Sequence, residues 1–179
     1  MRLPDAAIKP LPEVVPKIVI AVGLPGSGKS TYFARLGVNP ISSDAIRLQL
    51  ADDENDQTIH GRVFATVRYL LRQRVALNRP VTYVDATNLT VKDRRQYVRI
   101  ARELGCGIEA LFFDAPLEVC KVRNAGRGRN VPEFVMDAMA AKLTRPTEAE
   151  GFDCDPATHC GTFAGSRPLC CCLRLFRRS

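Results

Sequence analysis

The sequence has no tryptophan and only four tyrosines among its 179 residues, so its core must be built mainly from aliphatic side chains. No apolar run approaches the ~20 residues that a helix needs to cross a bilayer, and no membrane partner is expected. The opening stretch "MRLPDAAIKPLPEVVPK" lacks the long apolar segment of a secretory signal and is broken by prolines, so residues 1–16 read as an extended leader. Seven cysteines cannot all pair, which argues against a disulfide framework and for reduced thiols in a cytoplasmic protein. No obligate protein partner is evident.

Basic residues outnumber acidic ones, for a formal net charge of +7. That balance suits a polyanionic partner (nucleotide, nucleic acid or membrane surface), or it serves solubility alone. The length fits one domain. "KIVIAV" (17–22) is a short β-branched run of the kind buried on both faces of a sheet. Helix-like and strand-like segments then alternate. A helix is expected from Lys29 to about Leu36, and a short strand in "VNPIS". "ADDENDQ" is an acidic loop closing in a helix N-cap, followed by a helix over 58–78 with Val63, Val67, Leu70 and Leu71 inward. "VTYVDAT" (81–87) is a third strand, and the helix after it ends at Gly105. "IEALFFDA" (108–115) is a fourth strand. A last helix from Pro132 carries Val135, Met139 and Leu143 inward. This order predicts one α/β domain over 17–153, a parallel sheet of four to five strands with helices on both faces. Residues 154–179 form a divergent, Cys-rich basic tail.

Gly23-Leu24-Pro25-Gly26-Ser27-Gly28-Lys29-Ser30, followed by Thr31, satisfies G-x-x-x-x-G-K-[ST] between a buried strand and a helix. Glycines allow the backbone to aim successive N–H groups at phosphate oxygens, and the helix adds its positive end. Lys29 would reach the β- and γ-phosphates of ATP, and the Ser30 hydroxyl would ligate Mg²⁺. The expected fold is therefore that of a P-loop NTPase or kinase.

Ligands of a parallel sheet sit beyond the carboxyl ends of its strands. That rim gathers Ser43-Asp44, Asp85-Ala86-Thr87-Asn88 and Asp114. Asp44 is placed either to take a proton from an acceptor hydroxyl or to cap a helix starting at Ala45. Arg47, one turn on, can hold a phosphate. Asp85 ends a strand, where a carboxylate holds Mg²⁺ through water or is satisfied by backbone groups. Arg123, Arg127 and Arg129 in "VRNAGRGRN" either close over the nucleotide or form a solvated basic loop.

The spaced set GLPGSGKST, SSDAIR, VDATN with RR shortly after, FFDAP and RNAGRGRNVP resembles the 5′-hydroxyl polynucleotide kinases and the wider group of small P-loop kinases. The likeness runs from about Lys17 to Asp153. It implies ATP and Mg²⁺ as cofactors, with Asp44 as general base on an acceptor 5′-OH of DNA or RNA. It assigns Arg47 and Thr87, in the Asp-x-Thr-Asn element with Asn88, to the phosphate beside that nucleoside. Arg127 and Arg123 become lid arginines, and Val131 and Val135 align near the acceptor base. Two alternatives stay open: a kinase for a small acceptor, and an ATP-switched binding module without an acceptor.

Overall fold

The computed structural model describes residues 15–126 and 130–153. The leader before residue 15, the tail after 153, and Arg127 and Arg129 lie outside the described residues.

Four parallel strands form one sheet in the order β2-β3-β1-β4: β1 is Lys17–Val22, β2 Ile41–Ser42, β3 Val81–Asp85 and β4 Gly107–Phe112. β1 lies centrally, with Lys17 opposite both Val81 and Gly107. Its almost wholly apolar sequence follows from that position. Ile18, Ile20 and Val22 point to one face, where they meet Val63, Val67 and Leu71 of α3 (His60–Ala76) and Val98 and Ala101 of α4 (Val91–Leu104). Val19 and Ala21 point to the other, against Phe33 of α1 (Lys29–Arg35). Burial of each of the valine, isoleucine, leucine and phenylalanine side chains contributes about 1.5–3 kcal/mol, and that of the alanines less.

All four strands run the same way, so their carboxyl ends share one rim. The register sets Ser42 opposite Asp85, and Val22 opposite Phe112. The chain therefore leaves β1, β2, β3 and β4 into Gly23, Ser43, Ala86 and Phe113 along a single edge.

Several local expectations change. β2 spans two residues because α2 (Ser43–Ala51) starts immediately after it. Ser42 is the N-cap of α2, its hydroxyl accepting from the Ala45 N–H at 3.3 Å, so Asp44 lies within the first turn and is not the cap. The acidic stretch does not cap α3 by a side chain; Asp56 instead closes a turn on Thr58, accepting from both its N–H and its hydroxyl. Leu70 is 37% exposed, and Val75 continues the buried stripe in its place.

The glycine-broken stretch begins inside a helix, α5 (Leu117–Ala125), which holds Arg123 in its last turn. In α6 (Glu133–Lys142) the fully buried side chain is Met136, while Val135 and Met139, and Leu143 just past its end, are half-buried. Met136 packs with Leu24, Leu89 and Cys120, joining α5 and α6 to the glycine turn. Among the described residues, no helix is long and apolar enough to cross a membrane.

Candidate active site

Residues 23–28 turn tightly between β1 and α1. Gly26 has φ +78°, and a β-carbon there would land on the carbonyl of Cys120 in α5. Only glycine permits both the left-handed backbone and the close approach. The Lys29 ammonium curls back into this turn, donating to the carbonyls of Gly23 at 2.9 Å and Leu24 at 2.7 Å, and to Ser27 Oγ at 3.3 Å. It is buried, so its charge is concentrated inside the loop and weakly screened. Thr31 follows on α1, with an exposed side chain.

Ser30 Oγ donates to Asp85 Oδ2 at 2.7 Å. The contact links the start of α1 to the end of β3. A hydroxyl and a carboxylate are hard oxygen donors, and Mg²⁺ commonly takes one or two such protein ligands, filling its octahedron with water and phosphate oxygens. Among the described residues, no group of three or more His, Cys, Asp or Glu is arranged around a metal position. The donor set fits Mg²⁺ and does not suit a dedicated protein cage.

The Thr87-Asn88 element is fixed against the same turn. The Gly23 N–H donates to the Thr87 carbonyl at 3.0 Å, and Asn88 Nδ2 donates to the Ala21 carbonyl at 2.8 Å. Asn88 adopts φ +47° and is buried, its Oδ1 without a hydrogen-bond partner among the described residues. Asn88 thus holds the rim together by reaching under it, while Thr87 is half-buried at the edge.

Asp44 and Arg47 meet across one turn of α2, with Arg47 Nη1 donating to Asp44 Oδ1 at 3.1 Å. The two differ sharply in exposure: the Asp44 side chain is 51% exposed and that of Arg47 only 4%. The Arg47 Nε is buried without a hydrogen-bond partner among the described residues. A guanidinium held inside the wall beside a solvent-facing carboxylate can offer positive charge to an incoming anion while the carboxylate faces its neighbouring hydroxyl. Ser43 Oγ, next to Asp44, donates to the Asp85 carbonyl at 3.5 Å. The start of α2 is therefore anchored to the strand end that carries the Ser30 contact.

Arg123 is exposed on α5, and Asp114 is exposed beyond β4. Val131 and Val135 are half-buried, Val131 against the cluster of Leu24 and Met136. Asn124 ties the end of α5 to residues 130 and 131: its Nδ2 donates to Asn130 Oδ1 at 2.6 Å and the Val131 carbonyl at 2.7 Å, while its Oδ1 accepts from the Val131 N–H at 3.1 Å.

Arg94 is a functional-site neighbour that the sequence did not single out beyond its place in the RR pair. It is fully buried. Nε and Nη2 form a fork onto Glu150, each at 2.7 Å, and Nη1 donates to the carbonyls of Asn88, Leu89 and Thr144 at 3.1, 3.1 and 3.0 Å. One guanidinium thereby ties the Asn88 loop to the segment after α6. Two arginines in sequence give no sign which is inward; the alternating demand of α4 for buried Tyr97, Val98 and Ala101 decides it.

A family model described as an AAA domain matches residues 18–146. The chain belongs to this AAA domain family. Among curated proteins, the AAA domain is similar to an L-seryl-tRNA(Sec) kinase of Methanococcus maripaludis, 26% identical over 153 residues that cover 76% of this chain and 56% of the relative. It is also similar to the bifunctional polynucleotide phosphatase/kinase of Schizosaccharomyces pombe, 23% identical over 76% of this chain and 32% of that protein. The chain thus spans about half, and about a third, of these relatives' length. A chain in the solved structure of the Pnkp1/Rnl/Hen1 RNA repair complex superposes with a TM-score of 0.62 at 26% identity, covering 72% of this chain and 44% of that one. The APS kinase CysC of Mycobacterium tuberculosis shares the fold, with a TM-score of 0.53 at 20% identity over 92% and 91% of the two chains. The architecture is that of a P-loop kinase, as its glycine turn and alternating elements predict.

Proposed function

We propose that this AAA domain is an ATP-dependent phosphotransferase whose acceptor is the 5′-hydroxyl end of a polynucleotide. The observation that carries the reading is the Asp44–Arg47 pair on α2, a solvent-facing carboxylate beside a buried guanidinium whose Nε has no partner among the described residues. A nucleotide switch without an acceptor has no use for that pair. A 5′-terminal nucleoside in a polynucleotide presents a hydroxyl and, on its other side, a phosphate, which matches a base and a cation one helical turn apart.

In this reading the backbone N–H groups of 23–28 hold the phosphates, and Lys29 exchanges its carbonyl partners for phosphate oxygens. Ser30 and Asp85 would hold Mg²⁺, which neutralises charge on the β- and γ-phosphates. Asp44 accepts the proton of the acceptor hydroxyl as its oxygen attacks the γ-phosphorus and the bond to the leaving ADP oxygen breaks. Arg47 and Thr87 grip the adjacent phosphate, with Asn88 positioning Thr87. Arg123, with Arg127 outside the described residues, would serve as the lid arginines on the transferring phosphate, and the half-buried Val131 and Val135 would lie near the acceptor base.

A second reading has specific support. The Methanococcus relative and a human one, 30% identical over 94 residues, are named L-seryl-tRNA(Sec) kinases. An acceptor hydroxyl carried on an aminoacylated RNA would use the same carboxylate, with Arg47 facing a different anion. The deciding experiment offers ATP labelled at the γ-phosphate to 5′-OH DNA and RNA oligonucleotides, seryl-tRNA, nucleosides and sugars. The first reading expects the highest kcat/KM on the oligonucleotides; label appearing only on seryl-tRNA or on a sugar would overturn it.

A further inference from the structure

Away from the rim, α4 and the turn at 147–150 enclose a cleft of about 620 Å³, with Val91, Arg95, Val98, Arg99 and Arg102 on the helix side and Thr147, Ala149 and Glu150 on the other. Arg95, Arg99 and Arg102 are exposed, and their i, i+4, i+7 spacing sets them in one stripe along the helix. Arg99 pairs with Glu103 at 3.3 Å. Arg95 and Arg102 have no carboxylate partner among the described residues. Two acids that could quench the stripe are engaged elsewhere: Glu150 is forked onto buried Arg94, and Glu103 also accepts from Arg72 at 2.7 Å. With Glu150 offset by Arg94 and Arg99 by Glu103, Arg95 and Arg102 leave the cleft with net positive charge over an apolar floor of Val91 and Val98.

Its position gives that charge a direction. α4 begins at Val91, four residues after Thr87, and runs back from the rim where the acceptor hydroxyl is proposed to sit. We propose that this cleft carries the acceptor strand beyond its first nucleotide, with Arg95 and Arg102 each pairing with a backbone phosphate along it. The proposal rests on the polynucleotide reading above. At about 1.5 Å of rise per helical residue the stripe from Arg95 to Arg102 covers ~10 Å. That is about three nucleotides at the ~3.4 Å per base of a B-form strand. Arginine suits this use because its planar fork binds phosphate oxygens in pairs. An anionic lipid surface is the other occupant that a basic cleft could take, and the test below separates the two.

The test combines Arg95→Glu and Arg102→Glu in the full chain and measures binding of a 3′-labelled 5′-OH oligonucleotide by fluorescence anisotropy across salt concentrations. Both side chains are exposed, so the melting temperature serves as a control for folding. The variant is expected to bind about tenfold more weakly at moderate salt, with the slope of log K against log salt reduced by roughly 1.4, about 0.7 for each lost phosphate contact. KM for the oligonucleotide rises in step, while KM for a nucleoside 3′-monophosphate, which ends before the cleft, stays within about twofold. Unchanged oligonucleotide affinity and slope would overturn the proposal, as would equal losses on the long and short acceptors. So would a variant that loses binding to phosphatidylserine vesicles while keeping oligonucleotide affinity. A wild-type chain that binds oligonucleotide through the stripe but never phosphorylates it overturns the function reading alone. One that phosphorylates it with KM indifferent to both substitutions overturns the cleft alone. Absence of both binding and transfer overturns the two together.

Discussion

Ser30 and Asp85 are 55 residues apart in sequence and joined by a 2.7 Å hydrogen bond from the serine hydroxyl to the carboxylate. The bond exists because β1 and β3 are hydrogen-bonded neighbours whose carboxyl ends open on one rim. If the pair serves Mg²⁺, Asp85→Asn should raise the Mg²⁺ concentration needed for half-maximal turnover by about 10- to 100-fold. Binding of ATP in the absence of divalent cation should change little. A magnesium titration of the steady-state rate reads this directly, and an unaltered midpoint would assign Asp85 a purely structural part.

The Arg94–Glu150 fork is buried on both sides, with side chains 0% and 8% exposed. Removing one member leaves the other charged and unpaired, at a cost of about 3–5 kcal/mol. Arg94→Ala and Glu150→Gln should each lower the urea midpoint strongly, and Arg94→Lys should recover only part, since one ammonium cannot reproduce the fork. Replacing both residues with hydrophobic side chains of similar volume should restore part of the stability, since the ion pair goes but the carbonyls of Asn88 and Thr144 lose their donor. Additive losses in the double variant would contradict the assignment.

Tyr97 presents the opposite case. Its hydroxyl is buried without a hydrogen-bond partner among the described residues, and burial pushes the phenol well above its ordinary pKa. Tyr97→Phe removes an unsatisfied polar group while keeping the ring. It should leave stability unchanged or raise it by about 1 kcal/mol, a gain of roughly 2–4 °C in melting temperature for a domain of this size. A clear loss would mean that the hydroxyl is satisfied in solution.

Two glycines should respond in opposite ways. Gly26→Ala places a methyl group on the Cys120 carbonyl at a left-handed backbone, and strain of about 1–3 kcal/mol should disturb the phosphate turn and weaken ATP binding. A methyl group added at Gly61, in α3, would meet nothing within 4 Å, so Gly61→Ala should stabilise the helix by up to ~1 kcal/mol. Isothermal titration with ATP and thermal melts of both variants check the contrast.

Elements whose burial is uniform were legible from composition alone. "KIVIAV" could only be a strand covered on both faces, and the glycine turn with Lys29 could only follow it. α5 was hidden because its one buried apolar-like residue, Cys120, leaves no periodic stripe, and its glycine-rich end reads as loop. The register of α6 slipped by one because Val135 and Met136 are both apolar, and only packing against Leu24 and Leu89 selects Met136. Asp44 was ambiguous between cap and reactive carboxylate for a local reason. "SSDA" offers three capping residues in a row, and the choice of Ser42 depends on where β2 stops pairing with β3. Arg94 was invisible as a hub because its partners lie at Asn88, Thr144 and Glu150, a set assembled only by the fold.

The central claim is that the carboxylate of Asp44 deprotonates an alcohol aligned with a triphosphate held by the glycine turn. Single-turnover transfer from γ-labelled ATP to a 5′-OH oligonucleotide, comparing the wild type with Asp44→Ala, tests it most directly, alongside ATP affinity measured on both. The predicted result is a rate lower by about 10²- to 10⁴-fold with ATP affinity unchanged. A variant that transfers phosphate at close to the wild-type rate would contradict it.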